Sequence, residues 1–255
     1  MKYGDLEGKV ALVTGGSSGI GKATALAYAA QNMKVAIADI NTQGAQTVAK
    51  QIQEQGGDAI ALTANVASSN DVQQMIQQVV DHFGSLDVAF NNAGIELETT
   101  PTHQVEEAMF DQLMSVNVKG VWLCMKYEIE HMLKQPSGGA IINTASVGGL
   151  IGAPRMPIYG ATKHAVVGMT KTAAVEYGKK GIRVNSVCPG IIKTDMAKEA
   201  FERDPRRENN ATALHPIGRL GEAEEVANSV LFLSSAESSF VLGHQLMVDG
   251  GFVAI

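Results

Sequence analysis

Short apolar runs alternate with segments of helical periodicity along this chain, and this alternation is the feature that most restricts its fold. The runs are almost continuously apolar, whereas a strand with one solvated face alternates apolar and polar residues. Continuous apolar character is typical of strands buried on both faces of a parallel sheet. The seven strand candidates are Val10–Val13, Val35–Ala38, Ala59–Leu62, Val88–Phe90, Ala140–Ile142, Arg183–Val187 and Gln245–Val248.

The segments between these strands predict helices, for example at Lys22–Ala30, Thr42–Gln55 and Val72–Phe83. Because strands and helices alternate to the end of the chain, we expect an α/β fold with a doubly wound, seven-stranded parallel sheet and helices on both faces. No linker, charge block or internal repeat divides residues 1–255, so a single domain is predicted. The long stretch 191–216 follows a strand end, which predicts a lid over a substrate site.

Composition and charge exclude several classes of protein. Of the 255 residues, 45% are hydrophobic and 18% are charged, which excludes disordered chains and coiled coils. The formal net charge of −6 argues against nucleic-acid binding, which needs a basic face. Cys124 and Cys188 cannot form a disulfide framework, and no apolar run is long enough to cross a bilayer. We therefore expect a soluble, cytoplasmic protein that binds neither nucleic acid nor membrane.

A glycine-rich turn follows the first strand, at the edge of the sheet where folds of this class bind ligands. Residues 14–21 read Thr-Gly-Gly-Ser-Ser-Gly-Ile-Gly, and a helix is predicted from about Gly19. Glycines permit close approach of the backbone to a ligand, and the N–H groups of a helix N-terminus bind phosphate. The spacing also suits the phosphate-binding loop of nucleotide hydrolases, but Ala23 stands where that loop needs a Mg²⁺-binding Ser or Thr. A dinucleotide site is therefore the preferred interpretation.

An acidic residue after the second strand supports the dinucleotide interpretation. Asp39 follows Val35–Ala38 and lies 18 residues after Gly21, which suits an acid that accepts hydrogen bonds from ribose hydroxyls. A carboxylate there repels the 2′-phosphate of NADP, and the neighbouring Ile40 and Asn41 carry no positive charge. We therefore expect NAD as the cofactor. The alternative role for Asp39 is the N-cap of the next helix, a position at which Asp is favoured.

A tyrosine, a lysine and a serine form the candidate catalytic group. Tyr159 and Lys163 are spaced to lie on one face of a helix, and Ser146 follows the strand Ala140–Ile142 at the same sheet edge as the glycine turn. A phenol has a pKa near 10, so it is a poor base at neutral pH. A nearby ammonium can supply much of the stabilisation that its phenolate requires, and a positively charged nicotinamide can add more. The serine hydroxyl would hydrogen-bond the substrate oxygen. This combination predicts general acid/base chemistry at a substrate oxygen.

The whole chain resembles the short-chain dehydrogenase/reductase family. The motifs that carry the resemblance are Thr14–Gly21, Asn91-Asn92-Ala93-Gly94, Asn117, Ser146, the Tyr159 to Lys163 segment, Pro189-Gly190 and the final Val248-Asp249-Gly250-Gly251. The resemblance implies a single Rossmann domain, usually assembled as a homotetramer, that interconverts a secondary alcohol and a ketone with NAD. It implies that Tyr159 is the general acid/base and that Lys163 lowers its pKa and holds the nicotinamide ribose. In the same way, Ser146 would position the substrate, and Asn117 would hold a water in a proton relay.

The same resemblance implies a set of cofactor-binding residues spread over the strand ends. These are Gly15, Ser17, Ser18, Gly19, Ile20 and Gly21 in the turn, then Asp39, Ile40, Asn65, Val66, Asn92, Ala93, Gly94, Tyr159, Lys163, Pro189, Gly190, Ile192 and Thr194. Asn65 departs from the aspartate that is usual in the family. An asparagine still offers a carbonyl oxygen to the adenine amino group, so we expect a modest change in affinity at most.

Two other functions stay open: an NADP-linked 3-oxoacyl thioester reductase, and a regulator that binds NAD without catalysis. The intact tyrosine and lysine disfavour the regulator. The six histidines show no pair at metal-ligand spacing, so no catalytic metal is expected. Residues that flank the site and are candidates for a substrate pocket are Leu150, Met156, Ile191 and Met196, with Glu96, His103 and Arg155 nearby.

Overall fold

A computed structural model describes residues 2–194, 197–198, 201 and 206–255. In this part of the chain seven strands form one parallel sheet, in the order β3-β2-β1-β4-β5-β6-β7. The predicted Rossmann sheet is therefore confirmed. The strands are β1 Val10–Thr14, β2 Lys34–Asp39, β3 Asp58–Thr63, β4 Val88–Asn91, β5 Gly139–Thr144, β6 Ile182–Pro189 and β7 Gln245–Val248.

Helices connect the strands and cover both faces of the sheet. The three helices predicted from periodicity are confirmed, and the first and third each begin three residues before the periodic segment. The first turn of the third helix is polar, so apolar periodicity does not mark it. The helices are α1 Gly19–Ala29, α2 Thr42–Glu54, α3 Ser69–Phe83, α4 Glu107–Leu113, α5 Val121–Met132, α6 Pro157–Tyr177, α7 Arg206–Ala213 and α8 Ala223–Ser234.

The apolar runs are continuous because alternate residues of each strand face two different cores. In β1, Leu12 belongs to the core that also holds Ile141, while its neighbour Val13 belongs to the core on the opposite face, with Ile37. All four side chains are fully buried. Such burial is the main stabilising contribution in a fold of this kind, about 1.5–3 kcal/mol for each large aliphatic side chain.

The strand order reverses beside β1, which pairs with β2 on one side and with β4 on the other. The loops that leave β1 and β4 diverge at this point and open a crevice at the carboxyl ends of the strands. The side chain of Asn92 joins the two loops, since its Nδ2 donates to the carbonyl oxygens of Thr14 and Gly15 at 3.2 and 3.1 Å. The crevice is where both the glycine turn and the candidate catalytic residues were expected.

The predicted lid at 191–216 is described only in part. Ile192 forms an isolated parallel bridge with Gly221, and α7 lies within the stretch. Met196, a candidate for the substrate pocket, lies outside the described residues. Across the described ranges, none of the helices combines the length and the apolar character needed to span a bilayer.

Candidate active site

A cavity of about 1210 Å³ opens at the carboxyl ends of the strands and collects nearly all of the predicted site residues. The predicted cofactor residues that line it are Gly15, Ser17, Ser18, Gly19, Ile20, Asp39, Ile40, Asn65, Val66, Asn92, Ala93, Gly94, Tyr159, Lys163, Pro189, Gly190, Ile192 and Thr194. Ser146 lines it as well. Gly21 and Asn117 do not line the cavity. Each contacts residues that do.

Gly21 lets the first helix approach the glycine turn. A Cβ at this position would lie 2.1 Å from the carbonyl oxygen of Gly15 and 2.7 Å from Nδ2 of Asn92. Gly15 itself has a φ of +62°, and its Cβ would lie 2.8 Å from Cα of Ala93. A side chain at either position would therefore push the glycine turn away from α1 or from the loop after β4. The two glycines thus allow these three segments to pack closely.

The start of α1 suits an anionic ligand. Its N-cap residue, Ser18, makes no capping hydrogen bond through its side chain, and Gly19 is the first helical residue as predicted. An uncapped helix start presents N–H groups and the positive end of the helix dipole to the cavity. The residues present therefore fit a dinucleotide phosphate.

Asp39 ends β2 beside the glycine turn. Its Oδ2 accepts a hydrogen bond from the Ser17 N–H at 3.0 Å, and its Oδ1 accepts from the Asn41 N–H at 2.9 Å. Asn41, rather than Asp39, caps α2, because its Oδ1 accepts from the Gly44 N–H at 3.0 Å. The capping alternative for Asp39 is therefore wrong. Of the described residues that line the cavity, only Lys163 carries a positive charge, and it belongs to the catalytic group.

The candidate catalytic side chains meet on one wall of the cavity. Ser146 follows β5, and its hydroxyl lies close enough to Tyr159, the third residue of α6, to lower the pKa of the phenol. Lys163, one turn later, is 4% exposed, and its Nζ donates to the carbonyl oxygen of Thr144 at 2.8 Å. The predicted pairing of Tyr159 and Lys163 on one helix face thus places both beside the end of β5.

Burial dominates the proton affinities of this group. It raises the pKa of Tyr159 to about 12, an effect that the Ser146 hydroxyl opposes and the nearby Glu96 carboxylate reinforces. Burial also lowers the pKa of Lys163 to about 8. The family resemblance implies that Lys163 lowers the pKa of Tyr159. In the protein alone, desolvation outweighs any such lowering, and the pKa is raised. The neutral phenol is the stable form at neutral pH unless a further positive charge is present.

Asn117 is fully buried in a π-helical segment, Met114–Gly120, between α4 and α5. Its Oδ1 accepts from the Ile95 N–H and its Nδ2 donates to the Ile95 carbonyl oxygen, both at 2.8 Å. Nδ2 also lies 3.4 Å from Oγ1 of Thr162 on α6. The side chain thus fixes the loop after β4 against α6, and π-helical turns are frequent at functional sites.

Glu98 is a site residue that sequence reasoning missed. Its carboxylate is 4% exposed and accepts hydrogen bonds from the N–H groups of Ile158 and Tyr159. These partners lie about 60 residues further along the chain. No local motif marks the glutamate, because only the fold brings it to the start of α6.

The remaining cavity wall is mostly apolar and includes two of the predicted pocket residues, Met156 and Ile191. Leu150 packs against a hydrophobic core instead and is not part of the lining. Among the other lining residues are Ile95, Glu96, Ile151, Pro154, Leu214 and Phe252. Neither His103 nor Arg155 belongs to this lining.

Two further sequence expectations concern cysteine and metal. Both cysteines are buried and free, and burial raises the pKa of the Cys188 thiol to about 11. Among the described residues, no three His, Cys, Asp or Glu side chains are grouped in a way that could hold a metal ion.

Comparison with known proteins places the chain in a family. Residues 15–253 match the family model described as enoyl-(acyl carrier protein) reductase. The chain is 44% identical over 251 residues to the 2,5-dichloro-2,5-cyclohexadiene-1,4-diol dehydrogenase of Sphingobium indicum strain B90A, covering 98% of this chain and 99% of that protein. It is 47% identical over 246 residues to the cyclohexanol dehydrogenase of Acinetobacter sp. strain SE19, covering 96% and 95%.

A solved structure of ElxO with NADP bound superposes with a TM-score of 0.90 at 36% identity, covering 97% of this chain and 100% of ElxO. The chain therefore belongs to the short-chain dehydrogenase/reductase family. It is an oxidoreductase that interconverts a secondary alcohol and a ketone with a nicotinamide cofactor.

Proposed function

We propose that this protein is an NAD-dependent dehydrogenase/reductase for an alicyclic secondary alcohol and its ketone. One observation carries the proposal: Ser146, Tyr159 and Lys163 share the wall of a cavity whose other end is formed by the glycine turn and Asp39. The reacting oxygen of a substrate and the ring of a dinucleotide can therefore occupy one connected space.

The proposed mechanism assigns each side chain a role in moving one proton. In alcohol oxidation, Tyr159 as a phenolate takes the hydroxyl proton, and the Ser146 hydroxyl hydrogen-bonds the same substrate oxygen. NAD, when bound, supplies the hydride acceptor and a positive charge beside the tyrosine. Since burial raises the pKa of Tyr159 to about 12, we infer that Tyr159 becomes a base only in the complex with the oxidised cofactor. Lys163 holds the ribose, and Asn117 supports the proton relay.

The choice of NAD rests on Asp39. Its carboxylate lies beside the glycine turn with no cation next to it among the described lining residues, so a 2′-phosphate would meet uncompensated repulsion. The other residues that would hold the cofactor are the predicted cofactor residues that line the cavity. Gly21 packs against Gly15 of the glycine turn and supports them. Asn65 lies at the adenine side, but its Oδ1 already accepts from the Ala67 N–H at 3.0 Å, so its adenine contact uses the second lone pair.

The substrate class rests on the shape and polarity of the lining. Ile95, Ile151, Met156 and Leu214 add apolar surface to the cavity that Ser146 also lines, which suits a compact hydrocarbon ring. The two relatives named above act, by their names, on six-membered rings that carry hydroxyl groups. We propose that the lid at 191–216 closes over this ring.

The experiment is a panel of secondary alcohols assayed with NAD and with NADP, following absorbance of the reduced nicotinamide. We expect turnover of cyclohexanol-type alcohols with NAD and a hundred-fold or greater loss of kcat in Tyr159→Phe, with unchanged NADH binding. Turnover of a 3-oxoacyl thioester with NADP would favour the thioester reductase instead. NAD binding without turnover of any alcohol or ketone would favour a regulator.

Assembly and location complete the proposal. We propose a homotetramer, supported by large apolar side chains that the single chain leaves open: Phe240 is fully exposed, Ile255 is 93% exposed and Val175 is 84% exposed. Light scattering should give about four times the chain mass of 26.9 kDa. A mass equal to one chain would contradict it. The cytoplasmic location stays a prediction.

A further inference from the structure

The catalytic helix α6 begins without a cap from its own sequence neighbours. Met156, at the N-cap position, makes no capping hydrogen bond through its side chain, and Pro157 has no N–H to satisfy. The Gly160 N–H donates to the Met156 carbonyl oxygen. The N–H groups of Ile158 and Tyr159 are the donors of the first turn that remain, and a helix start buried without partners for them is destabilised.

Glu98 satisfies both of these donors. Its Oε1 accepts from the Ile158 N–H at 3.2 Å and its Oε2 accepts from the Tyr159 N–H at 2.5 Å. The carboxylate is buried, and a buried charge is costly unless it is paired. Its partner here is the positive end of α6, and hydrogen bonds to a charged group are shorter and stronger than neutral ones. Glu98 therefore binds the backbone of the catalytic tyrosine directly.

The segment Ile95–Glu98 connects two parts of the site. At one end, both main-chain groups of Ile95 are hydrogen-bonded to Asn117. Within the segment, Oε1 of Glu96 accepts from the Glu98 N–H at 2.9 Å. At the other end, Glu98 holds the first turn of α6. Because Ile95 and Glu96 also line the cavity, the segment couples the substrate wall to the position of Tyr159.

We propose that Glu98 is a positioning residue that clamps the first turn of α6 and thereby fixes the Tyr159 hydroxyl against Ser146. The catalytic part of this inference rests on the proposed function of Tyr159. A displacement of about 1 Å in a reacting group can cost a hundred-fold in rate, so a carboxylate that holds the tyrosine backbone acts on kcat without touching substrate. Glu98 is not part of the cavity lining, so cofactor affinity should not depend on it.

The test compares Glu98→Ala and Glu98→Gln with the wild-type enzyme. The alanine variant loses both acceptors, and we expect kcat to fall about 10- to 100-fold while the Kd for NADH stays within about two-fold. Hydrogen exchange at the start of α6 should become faster. Glutamine keeps one acceptor oxygen, so it should recover part of both losses.

The matched control is Asp87→Ala. The Asp87 carboxylate also accepts a backbone hydrogen bond, from the Val10 N–H at 2.9 Å, and its side chain is 12% exposed. It lies at the amino ends of β1 and β4, at the opposite end of the strands from the cavity. We expect this variant to lower the Tm without changing kcat or exchange in α6. A Glu98→Ala kcat within about two-fold of wild type would overturn the proposal. So would equal losses of kcat and of NADH affinity, which indicate general destabilisation.

The outcome for the proposed function is read separately, from Tyr159→Phe and from the alcohol panel. If Tyr159→Phe keeps full activity, the acid/base role of the tyrosine is wrong. Exchange at Ile158 and Tyr159 still decides the clamp in that case, because the exchange measurement needs no substrate. Faster exchange in Glu98→Ala then supports the clamp, and unchanged exchange overturns it.

Discussion

The ammonium group of Lys163 lies 5.6 Å from the centre of the Tyr159 ring, and its hydrogen bond goes to the carbonyl oxygen of Thr144. No hydrogen bond joins the two side chains, so the charge of the lysine can act on the phenol only through space. Glu96, with the opposite charge, also acts on the tyrosine and raises its pKa. The proton affinity of Tyr159 is thus set mainly by burial, which the Ser146 hydroxyl opposes and the Glu96 carboxylate reinforces.

The first prediction concerns Lys163→Ala and the pH dependence of alcohol oxidation. In the proposed mechanism the phenolate of Tyr159 is the active form in oxidation, and removing a cation raises the pKa of the phenol. We expect the acid limb of kcat to move to higher pH by roughly one unit or more, since unit charges about 5 Å apart interact by several tenths to a few kcal/mol. The measurement is the pH–rate profile at saturating NAD and alcohol. An acid limb at the wild-type position would contradict it.

The second prediction is a shift in the opposite direction for Glu96→Gln. Removing the anion lowers the pKa of Tyr159, so the acid limb of alcohol oxidation should move to lower pH, by less than the shift in Lys163→Ala. Glutamine keeps an oxygen that can accept from the Glu98 N–H, so the loop after β4 should hold its shape. A shift to higher pH in this variant would show that Glu96 acts on the site in some other way.

The third prediction concerns cofactor choice. Asp39→Asn removes the charge that repels a 2′-phosphate, while its amide oxygen can still accept from the Ser17 or Asn41 N–H. We expect the ratio of kcat/KM for NADP to that for NAD to rise about ten-fold, mainly through KM. Asp58→Asn is the matched control, because Asp58 is an exposed carboxylate at the amino end of β3. Equal ratios in the two variants would remove Asp39 from cofactor selection.

The fourth prediction is that Gly21→Ala weakens cofactor binding. The new methyl group would overlap the carbonyl oxygen of Gly15, so the glycine turn must shift away from α1. We expect the Kd for NADH to rise at least about ten-fold, measured by the fluorescence of the bound cofactor. Gly4→Ala is the control, since a Cβ at Gly4 meets no atom within 4 Å. Wild-type affinity in Gly21→Ala would mean that the turn tolerates the shift.

The fifth prediction concerns a buried carboxyl far from the cofactor. Nδ2 of Asn91 donates to Oε2 of Glu128 at 2.9 Å, while Oδ1 of Asn91 and Oε1 of Glu128 have no partner among the described residues. Burial raises the pKa of Glu128 to about 8. A protonated Glu128 carries an O–H donor that the carboxylate lacks, so the neutral form suits a buried site that contains an unpartnered acceptor, Asn91 Oδ1.

The pH dependence of stability follows from the difference between the pKa of Glu128 in the folded protein and its pKa in the unfolded protein. The unfolded carboxyl ionises near pH 4.5, whereas the folded one stays protonated up to about pH 8. The contribution of Glu128 to stability is therefore complete below about pH 4.5 and is lost as pH rises toward 8, by about 1.4 kcal/mol per unit. Glu128→Gln should raise the free energy of unfolding more at pH 8 than at pH 5. The exposed Glu237→Gln is the control, and a pH-independent difference in Glu128→Gln would contradict the assignment.

Much of the active site could be predicted because its signals are local. Tyr159 and Lys163 are one turn apart on a helix, and the glycine turn follows directly on a buried strand, so backbone geometry alone places each group. The apolar runs also predict the parallel sheet, because strands covered by helices on both faces bury every side chain and are therefore continuously apolar. Ser146 and Asp39 follow strand ends, and all strand ends of a parallel sheet meet at one edge.

The amino-acid sequence by itself therefore determined the fold class, the candidate catalytic trio and the acid proposed to face the cofactor, because each depends on residues that are neighbours along the chain or on one repeated pattern. Only the tertiary structure decided what holds those residues in place. Glu98 reaches α6 from about 60 residues away, and Asn117 turns inward to the backbone of Ile95. The tertiary structure also decided that the pKa of Tyr159 is raised. Desolvation of the hydroxyl depends on every element that packs around it and not on the lysine one turn away.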